Sequence, residues 1–370
     1  MMIQNNKPEY LYLHVPFCKT ICSYCDFCHT VYTKQTADIW LDALQKEIQL
    51  TQINPALQTI YIGGGTPTSL SEEQLERLLT MLDPYRKSVV EYTIEINPET
   101  MNEAKAEIMH VHGINRASIG FQTSNEHLLQ IMGRHHDLKQ VEQTMQCLRR
   151  NNIGNISLDL MYSLPQQTMA DLQKSVADAV ALEPTHLSLY SLTIEENSVF
   201  GKKGYQHLDE DMEADMYEWI MHALPKYGYH QYEISNFAKE GKESRHNKAY
   251  WNYRDFYGIS MGASGKYGLC RYDHGRSLSE YAKDPMKVHE IPLTKEDAMF
   301  EMVMMGLRLK SGLDLHLFQE TFGTAFFTVY GKAVQSEIEK GLLSVTEDHC
   351  FTTERGYEIL NSVLVDLMPV

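Results

Sequence analysis

Apolar positions along the first half of the chain fall into two alternating textures. Short, nearly continuous apolar runs recur at Tyr10–Val15, Thr59–Ile62, Val89–Ile96, Arg116–Phe121, Ile156–Tyr162 and His186–Leu192. Between them lie longer segments with apolar residues three and four apart, such as Ala37–Gln49, Ser71–Leu82 and Ala170–Leu182. The first texture predicts strands buried on both faces, and the second predicts amphipathic helices. Their alternation predicts a parallel sheet of the α/β class. Six such units make an open, partial (β/α)6 barrel. A closed eight-unit barrel takes about 250 residues, and the alternation here fades after Leu192.

After Leu192 the pattern changes. Phe200–Asp211 reads as a loop, Met212–Tyr227 as a helix, Tyr229–Ser235 as a strand and Asn236–Arg245 as a polar loop. Next come the segment His246-Asn247-Lys248-Ala249-Tyr250-Trp251 and a glycine-rich turn over Asp255–Gly265. A second unit begins near Leu293. Its first helix, Glu296–Lys310, places Met299, Phe300, Val303, Met304 and Leu307 on one face, a stripe that predicts core packing. Leu313–Phe322 and Ala325–Lys340 read as helices, and Leu342–Val345 and Cys350–Thr352 as short strands. Thr353 caps a last helix running to Leu367. The expected organisation is a domain over 1–285, with a rim segment 195–285, and a small helical, winged-helix-like domain over 293–370.

The candidate chemistry lies just past the first strand. Cys18, Cys22 and Cys25 stand at Cys-x3-Cys-x2-Cys spacing in a short loop. Thiolates are soft ligands suited to iron–sulfur clusters. Three of them on a four-iron cubane leave one iron without a protein ligand, open to chelation by an amine and a carboxylate. Zinc is the alternative, with Cys28 or His29 as a fourth ligand, although zinc spacings are usually paired Cys-x2-Cys units. Other polar residues fall at the carboxyl ends of successive strands, where ligands gather in such folds. They are the glycine triplet Gly63–Gly65 with Thr66, then Glu95, Gln122, Arg134 and Asp159. Taken singly, each is more often a cap or a salt bridge.

Bulk properties narrow the classes. A net charge of −16 argues against broad binding to nucleic acid. Three of the seven cysteines crowd one loop and the rest are scattered, unlike a disulfide framework. No apolar run reaches the length of a membrane span and no basic leader precedes an apolar core, so a cytoplasmic, reducing location is expected.

The cysteine loop, with Tyr12, the lead-in His14-Val15-Pro16-Phe17 and Tyr24, resembles the radical S-adenosylmethionine (SAM) superfamily. Within it, the chain resembles the oxygen-independent coproporphyrinogen III oxidase group from about residue 10 to the C-terminus. The resemblance implies a [4Fe-4S] cluster on Cys18, Cys22 and Cys25. It implies SAM contacts from Tyr12, Gly64, Gly65, Thr66, Glu95, Gln122, Arg134 and Asp159, with Tyr24 and Thr193 as further ones. The His-Asn-x-x-Tyr-Trp segment resembles the branch regarded as haem chaperones, and makes His246 a candidate haem contact. Residue chemistry alone favours a histidine whose ring nitrogens are satisfied while Tyr250 and Trp251 pack under the barrel rim.

Two functions follow from the resemblance. One is a chaperone that binds haem and passes it to apo-haemoproteins such as respiratory enzymes. The other is an oxidase that converts coproporphyrinogen III to protoporphyrinogen IX through a 5′-deoxyadenosyl radical. Three features favour the chaperone. The oxidases carry a fourth cysteine where this chain has Phe27, the extra cysteine being displaced to Cys28. Their N-terminal extension has no counterpart before a first strand that begins near residue 10. The His-Asn-x-x-Tyr-Trp segment is present. Implied partners are haem or porphyrin, an apo-haemoprotein recipient, an electron donor such as flavodoxin or ferredoxin, and peripheral contact with membrane proteins. Ser163 and Ser260 stand where the family usually has glycine, and Cys28 has no assigned role.

Overall fold

The computed structural model describes residues 7–368. Its centre is six parallel strands: β1 (Tyr10–Val15), β2 (Thr59–Gly64), β3 (Glu91–Ile96), β4 (Arg116–Gln122), β5 (Asn155–Tyr162) and β6 (His186–Ser191). Each pairs in parallel with the next. The connecting helices are α1 (Lys34–Leu50), α2 (Glu72–Leu82), α3 (Glu103–Val111), α4 (Glu126–Met132), α5 (Leu138–Arg150) and α6 (Met169–Ala181). Local sequence sets their starts. Thr33 with Thr36, Ser71 with Gln74, Asp137 with Gln140 and Thr168 with Asp171 form reciprocal capping boxes that satisfy otherwise orphaned N–H groups.

The strands alternate more than their apolar look suggests. Leu11, Leu13 and Val15, Ile60 and Ile62, Tyr92, Ile94 and Ile96, and their counterparts on β4–β6 belong to one core with Trp40, Leu44, Leu78 and Leu79 of the helices. The other face carries Tyr12, Tyr61, Glu95, Arg116, Ser118, Ser157, Asp159 and His186. Apart from Arg116, which faces Thr93 and Asn155, neighbouring members of this set are in register or hydrogen-bonded to one another. The inner face of this open barrel is therefore polar, and the expectation of strands apolar on both faces is corrected.

The sheet is also larger than expected. It has twelve strands. Beyond β6 lie β7 (His230–Glu233) and β8 (Asn236–Ala238), with β8 antiparallel to β6. At the other edge, β9 (Phe256–Ile259) pairs in parallel with β1, and β10 (Ser264–Tyr267), β11 (Cys270–His274) and β12 (Val288–Pro292) follow as an antiparallel ribbon. Asn236–Ala238 is thus strand rather than polar loop, and the glycine-rich turn contains β9. Val199–Lys202 forms a helical turn within the expected loop. Helix α7 (Glu210–Ala223) leads to β7, α8 (Arg245–Trp251) carries the His-Asn-x-x-Tyr-Trp segment, and α9 (Leu278–Lys283) packs on α1.

After residue 293 a second core forms around Met299, Met302, Val303, Leu307, Phe318, Phe326 and Val334. Its helices include α10 (Lys295–Gly306), α11 (Leu315–Phe322), α12 (Phe326–Glu339) and, near the C-terminus, α13 (Leu360–Leu367). A three-stranded sheet completes it, formed by Leu313–Asp314, Leu343–Val345 and His349–Thr352. Leu313 belongs to this sheet and not to the helix that follows. Met304 is half-buried, and Met302 takes its place in the core stripe. Among the described residues no helix is long and apolar enough to cross a membrane.

Candidate metal centre and cofactor site

The cysteine loop leaves the carboxyl end of β1 and is closed at its base. Phe17–Cys18 pairs with Thr30–Val31, Thr30 N–H donates to Pro16 O at 2.7 Å, and Tyr32 N–H donates to Cys18 O at 2.9 Å. Its middle is pinned where Ser23 N–H donates to Met132 O at 2.8 Å and Phe200 N–H donates to Ser23 O at 2.9 Å. Loop geometry is thus fixed by backbone bonds at both base and crown.

Three thiols and one guanidinium share this space. Burial pushes the Cys18 thiol up to about 11, the neighbouring Cys22 and Cys25 add to the rise, and Arg134 opposes it. Burial likewise raises Cys25. Cys18 Sγ lies 3.7 Å from Thr66 Oγ1, and Cys25 Sγ lies 3.8 Å from His29 Nδ1. Gly65 keeps the space beside Cys18 open, since a Cβ there would lie 3.0 Å from the sulfur and 2.8 Å from Phe17 O. Arg134 Nε is buried without a hydrogen-bond partner. Three thiols beside a buried, incompletely paired cation fit an anionic iron–sulfur cluster, whose binding would deprotonate them.

The zinc alternative needs Cys28 or His29 as a fourth ligand, and His29 Nδ1 is the group that lies 3.8 Å from Cys25 Sγ. Cys28, one of these two candidates, is buried in the main core and packs on Gly262, where an added Cβ would sit 2.6 Å from its sulfur. That contact gives Cys28 a packing role.

The expected SAM contacts occupy two zones of the same end. Around the glycine triplet, Gly64 N–H donates to Glu95 Oε2 at 3.0 Å, and Tyr61 Oη–H donates to Glu95 Oε1 at 2.8 Å. Gly64 has φ +112° and an added Cβ would strike the His14 ring at 2.6 Å, so glycine is required there. Tyr12 Oη lies 2.9 Å from His14 Nδ1, and His14 Nε2 lies 2.7 Å from Cys28 O, tying β1 to the cysteine loop. Burial raises Tyr12 well above the usual phenol range, and Glu95 adds to this. Burial pushes Glu95 up to about 7; Asp159 adds to the rise, while Tyr61, the Gly64 N–H and Arg116 oppose it. Asp159 accepts from Ser118 Oγ at 3.0 and 2.9 Å and from Ser157 Oγ at 3.2 Å. Its carboxyl is raised by burial against those bonds.

The second zone lies over β4. Gln122 ends the strand at φ +62° and is buried. Arg134 reaches back across Gly120, where a Cβ would lie 2.7 Å from its Nη2 and 2.8 Å from Gln122 Nε2. The Tyr24 phenol hydrogen-bonds Arg134 and is raised by burial. Thr193 lies exposed beyond β6. Sequence reasoning missed Tyr61, Gly120, Ser118 and Ser157. The signal available for them was position, since each sits two residues along its strand from, or directly beside, an expected site residue.

His246 is elsewhere. It lies 1% exposed at the amino ends of β2 and β3, away from the cysteine loop. Its Nδ1 is 2.6 Å from Thr59 Oγ1, its Nε2 is 2.8 Å from Tyr250 Oη, and its ring stacks on Tyr61 at 5.2 Å. Burial lowers its basicity to about 3. The Glu91 carboxylate accepts from Arg245 N–H and His246 N–H at 2.9 Å and from Ser244 Oγ at 3.3 Å, fixing the start of α8. With both ring nitrogens engaged, the histidine offers no free ligand atom in this structure.

Comparisons with known proteins bear on the family and the fold. A family model described as Radical SAM superfamily matches residues 12–179, and one described as HemN C-terminal domain matches residues 293–359. A Lactococcus lactis protein named heme chaperone HemW is 38% identical over 96% of both chains. A Bacillus subtilis protein of that name is 38% identical over 95% of this chain and 97% of its own. An Escherichia coli protein of that name is 31% identical over 96% and 97%. Among solved structures, Escherichia coli coproporphyrinogen III oxidase (HemN), a radical SAM enzyme, superposes with a TM-score of 0.84 at 22% identity. That match covers 98% of this chain and 90% of that one, and it speaks for the fold alone. The chain belongs to the radical SAM superfamily, in the family that includes the proteins named heme chaperone HemW. Membership implies a four-iron cluster and SAM.

Proposed function

We propose that the chain is a cytoplasmic haem chaperone that binds haem and delivers it to apo-haemoproteins such as respiratory enzymes. The observation that carries this reading is the 38% identity, over nearly the whole of both chains, to proteins named heme chaperone. Phe27 supports it, since the residue two beyond Cys25 is an exposed phenyl ring rather than a fourth thiol.

In this reading Cys18, Cys22 and Cys25 supply three thiolates. A four-iron cluster bound there supplies an electron and an open iron for SAM. Arg134 offsets the negative charge of the thiolates and can pair with a carboxylate of the cofactor. Gly64, Gly65 and Thr66 offer a bare backbone edge, and Glu95 in its ionised form accepts from a cationic amine. Asp159 and Gln122 offer acceptors and donors to ribose hydroxyls, with Tyr12, Tyr24 and Thr193 as rim contacts. For His246 to ligate haem, its bond to Thr59 or to Tyr250 must break. An electron donor of the flavodoxin or ferredoxin kind, an apo-haemoprotein recipient and peripheral contact with membrane proteins complete the reading.

The test is a side-by-side anaerobic assay on the reconstituted protein. Stoichiometric haem binding by Soret titration, with no protoporphyrinogen formed from coproporphyrinogen III in the presence of SAM and reductant, supports the chaperone. Oxidase turnover at rates comparable to a true oxidase overturns it.

A further inference from the structure

Lys105 is a charged side chain that the proposed site does not use, and it is 5% exposed. It sits in the first turn of α3, where Asn102 caps the helix by accepting from Lys105 N–H at 2.9 Å. Its Nζ donates to Thr68 O at 2.7 Å and to Thr100 O at 2.9 Å. These two carbonyls belong to different loops. Thr68 lies in the 3-10 turn Pro67–Ser69 that follows β2, and Thr100 lies in the turn Pro98–Thr100 that follows β3.

The same two loops are joined by a closed hydroxyl network. Thr100 Oγ1 donates to Asn97 O at 2.9 Å, Thr68 Oγ1 lies 2.7 Å from Thr100 Oγ1, and Asn97 N–H donates to Thr68 Oγ1 at 3.3 Å. Ser69 Oγ extends it to the cysteine loop, within reach of Phe17 O at 3.1 Å and Thr66 O at 2.6 Å. On the inner side, two residues before Thr66 and two before Asn97, the same loops meet again where Gly64 N–H bonds Glu95. The junction is thus pinned on its inner face by Glu95 and on its outer face by one ammonium.

Among the described residues no carboxylate is hydrogen-bonded to that ammonium. It holds its place through backbone carbonyls alone, so its geometry is set by the loops it joins. Its outer flank faces a cavity of about 420 Å³ shared with Lys19, the residue after Cys18. A buried lysine held this way costs desolvation that a methionine would not incur, which is a reason to look for a role beyond packing.

We propose that Lys105 is a positioning residue for the SAM site, its ammonium clamping the loops after β2 and β3 so that Gly64–Thr66 and Glu95 keep their spacing beside Cys18. The proposal rests on the reading of that region as the SAM site.

The test uses the full chain, reconstituted anaerobically, as wild type, Lys105→Met, Lys105→Arg and Thr100→Val. Iron per chain, the electron paramagnetic resonance spectrum of the reduced cluster with and without SAM, and the SAM Kd by calorimetry are measured for each. Lys105→Met is expected to keep its iron and its spectrum without SAM, and to bind SAM about tenfold more weakly with a reduced spectral response to it. Lys105→Arg, able to reach both carbonyls, restores affinity to within about twofold. Thr100→Val removes one hydroxyl of the network but keeps the carbonyl that Lys105 grips, so it tests the network alone; if Lys105→Met does not fold, Lys105→Gln, whose shorter amide cannot span both carbonyls, is measured in its place. Wild-type affinity in Lys105→Met or, failing its folding, in Lys105→Gln overturns the clamp, as does an arginine variant as weak as the methionine one. A wild-type protein that carries the cluster but binds no SAM refutes the site reading instead.

Discussion

With Glu95 facing the SAM amine as proposed, SAM binding should depend on pH in a way that can be worked from its surroundings. Its carboxyl is held up to about 7, first by burial and then by Asp159, against Tyr61, the Gly64 N–H and Arg116. Tyr12 and Tyr250, which sense its charge, complete the titratable groups facing it. Burial alone makes the proton hard to lose, and a cationic amine placed against the carboxylate reverses that balance. At pH 6 about nine-tenths of the carboxyls are protonated and must lose the proton on binding; at pH 8 about one-tenth must. Affinity is therefore expected to fall about tenfold from pH 8 to pH 6, or about 1.4 kcal/mol. For stability the sign is opposite. A folded-state pKa raised above the ordinary 4.5 favours the fold at low pH, and that contribution is lost as pH rises from about 4.5 through about 7. The perturbation is Glu95→Gln, which keeps the shape and cannot titrate. The assay is anaerobic calorimetry of SAM in two buffers of different ionisation enthalpy, at pH 6 and pH 8. Comparing wild type with variant cancels titration of the ligand itself. Wild type should release close to one proton more than the variant at pH 6 and almost none more at pH 8. Equal proton counts at pH 6 would refute the reasoning.

Other expectations concern stability. Ser260 holds φ +87°, accepts from Trp40 Nε1 at 2.8 Å through its hydroxyl and donates its N–H to the buried Glu47 carboxylate at 3.0 Å. Ser260→Ala keeps the backbone strain and orphans the Trp40 N–H, for an expected loss of about 1–3 kcal/mol by urea unfolding. Ser260→Gly loses the same bond but relieves about 1 kcal/mol of strain, so it should be the milder variant; the reverse order would contradict the argument. Glu91→Ala leaves the Arg245 and His246 N–H groups at the start of α8 unpaired, and is expected to cost about 2–4 kcal/mol. An unchanged urea midpoint in that variant would count against Glu91 as the anchor of α8.

Much of this was legible in the residues, and the rest was hidden for identifiable reasons. The six parallel strands showed because their helix-facing residues, such as Leu11, Leu13, Ile60 and Ile94, are apolar and close together. Their inner partners did not, because Arg116, Ser118 and Ser157 look like ordinary polar residues until the sheet places them beside Asp159. The edge ribbon was invisible. Cys270–His274 and Val288–Pro292 are short and mix polar with apolar residues, and their strand state comes from pairing across the sheet rather than from pattern. The cysteine loop was legible as spacing alone. The serines at usual glycine positions were read only as departures, whereas the backbone shows both Ser163 (φ +58°) and Ser260 in the left-handed region that glycine normally fills. Each hydroxyl has found a partner, Glu213 for Ser163 and Trp40 for Ser260. His246 showed the limit of motif reasoning, since a family segment named a residue without saying which way its ring nitrogens were spent.

The central claim is that Cys18, Cys22 and Cys25 hold a four-iron cluster with one iron left for SAM. The most direct measurement is Mössbauer and electron paramagnetic resonance spectroscopy of the anaerobically reconstituted chain with and without SAM, alongside the variant in which all three cysteines are alanine. Four irons per chain in the wild type, a spectrum of one iron that changes when SAM is added, and loss of the cluster in the triple variant are predicted. A single bound zinc, or a triple variant that still holds four irons, would contradict the account.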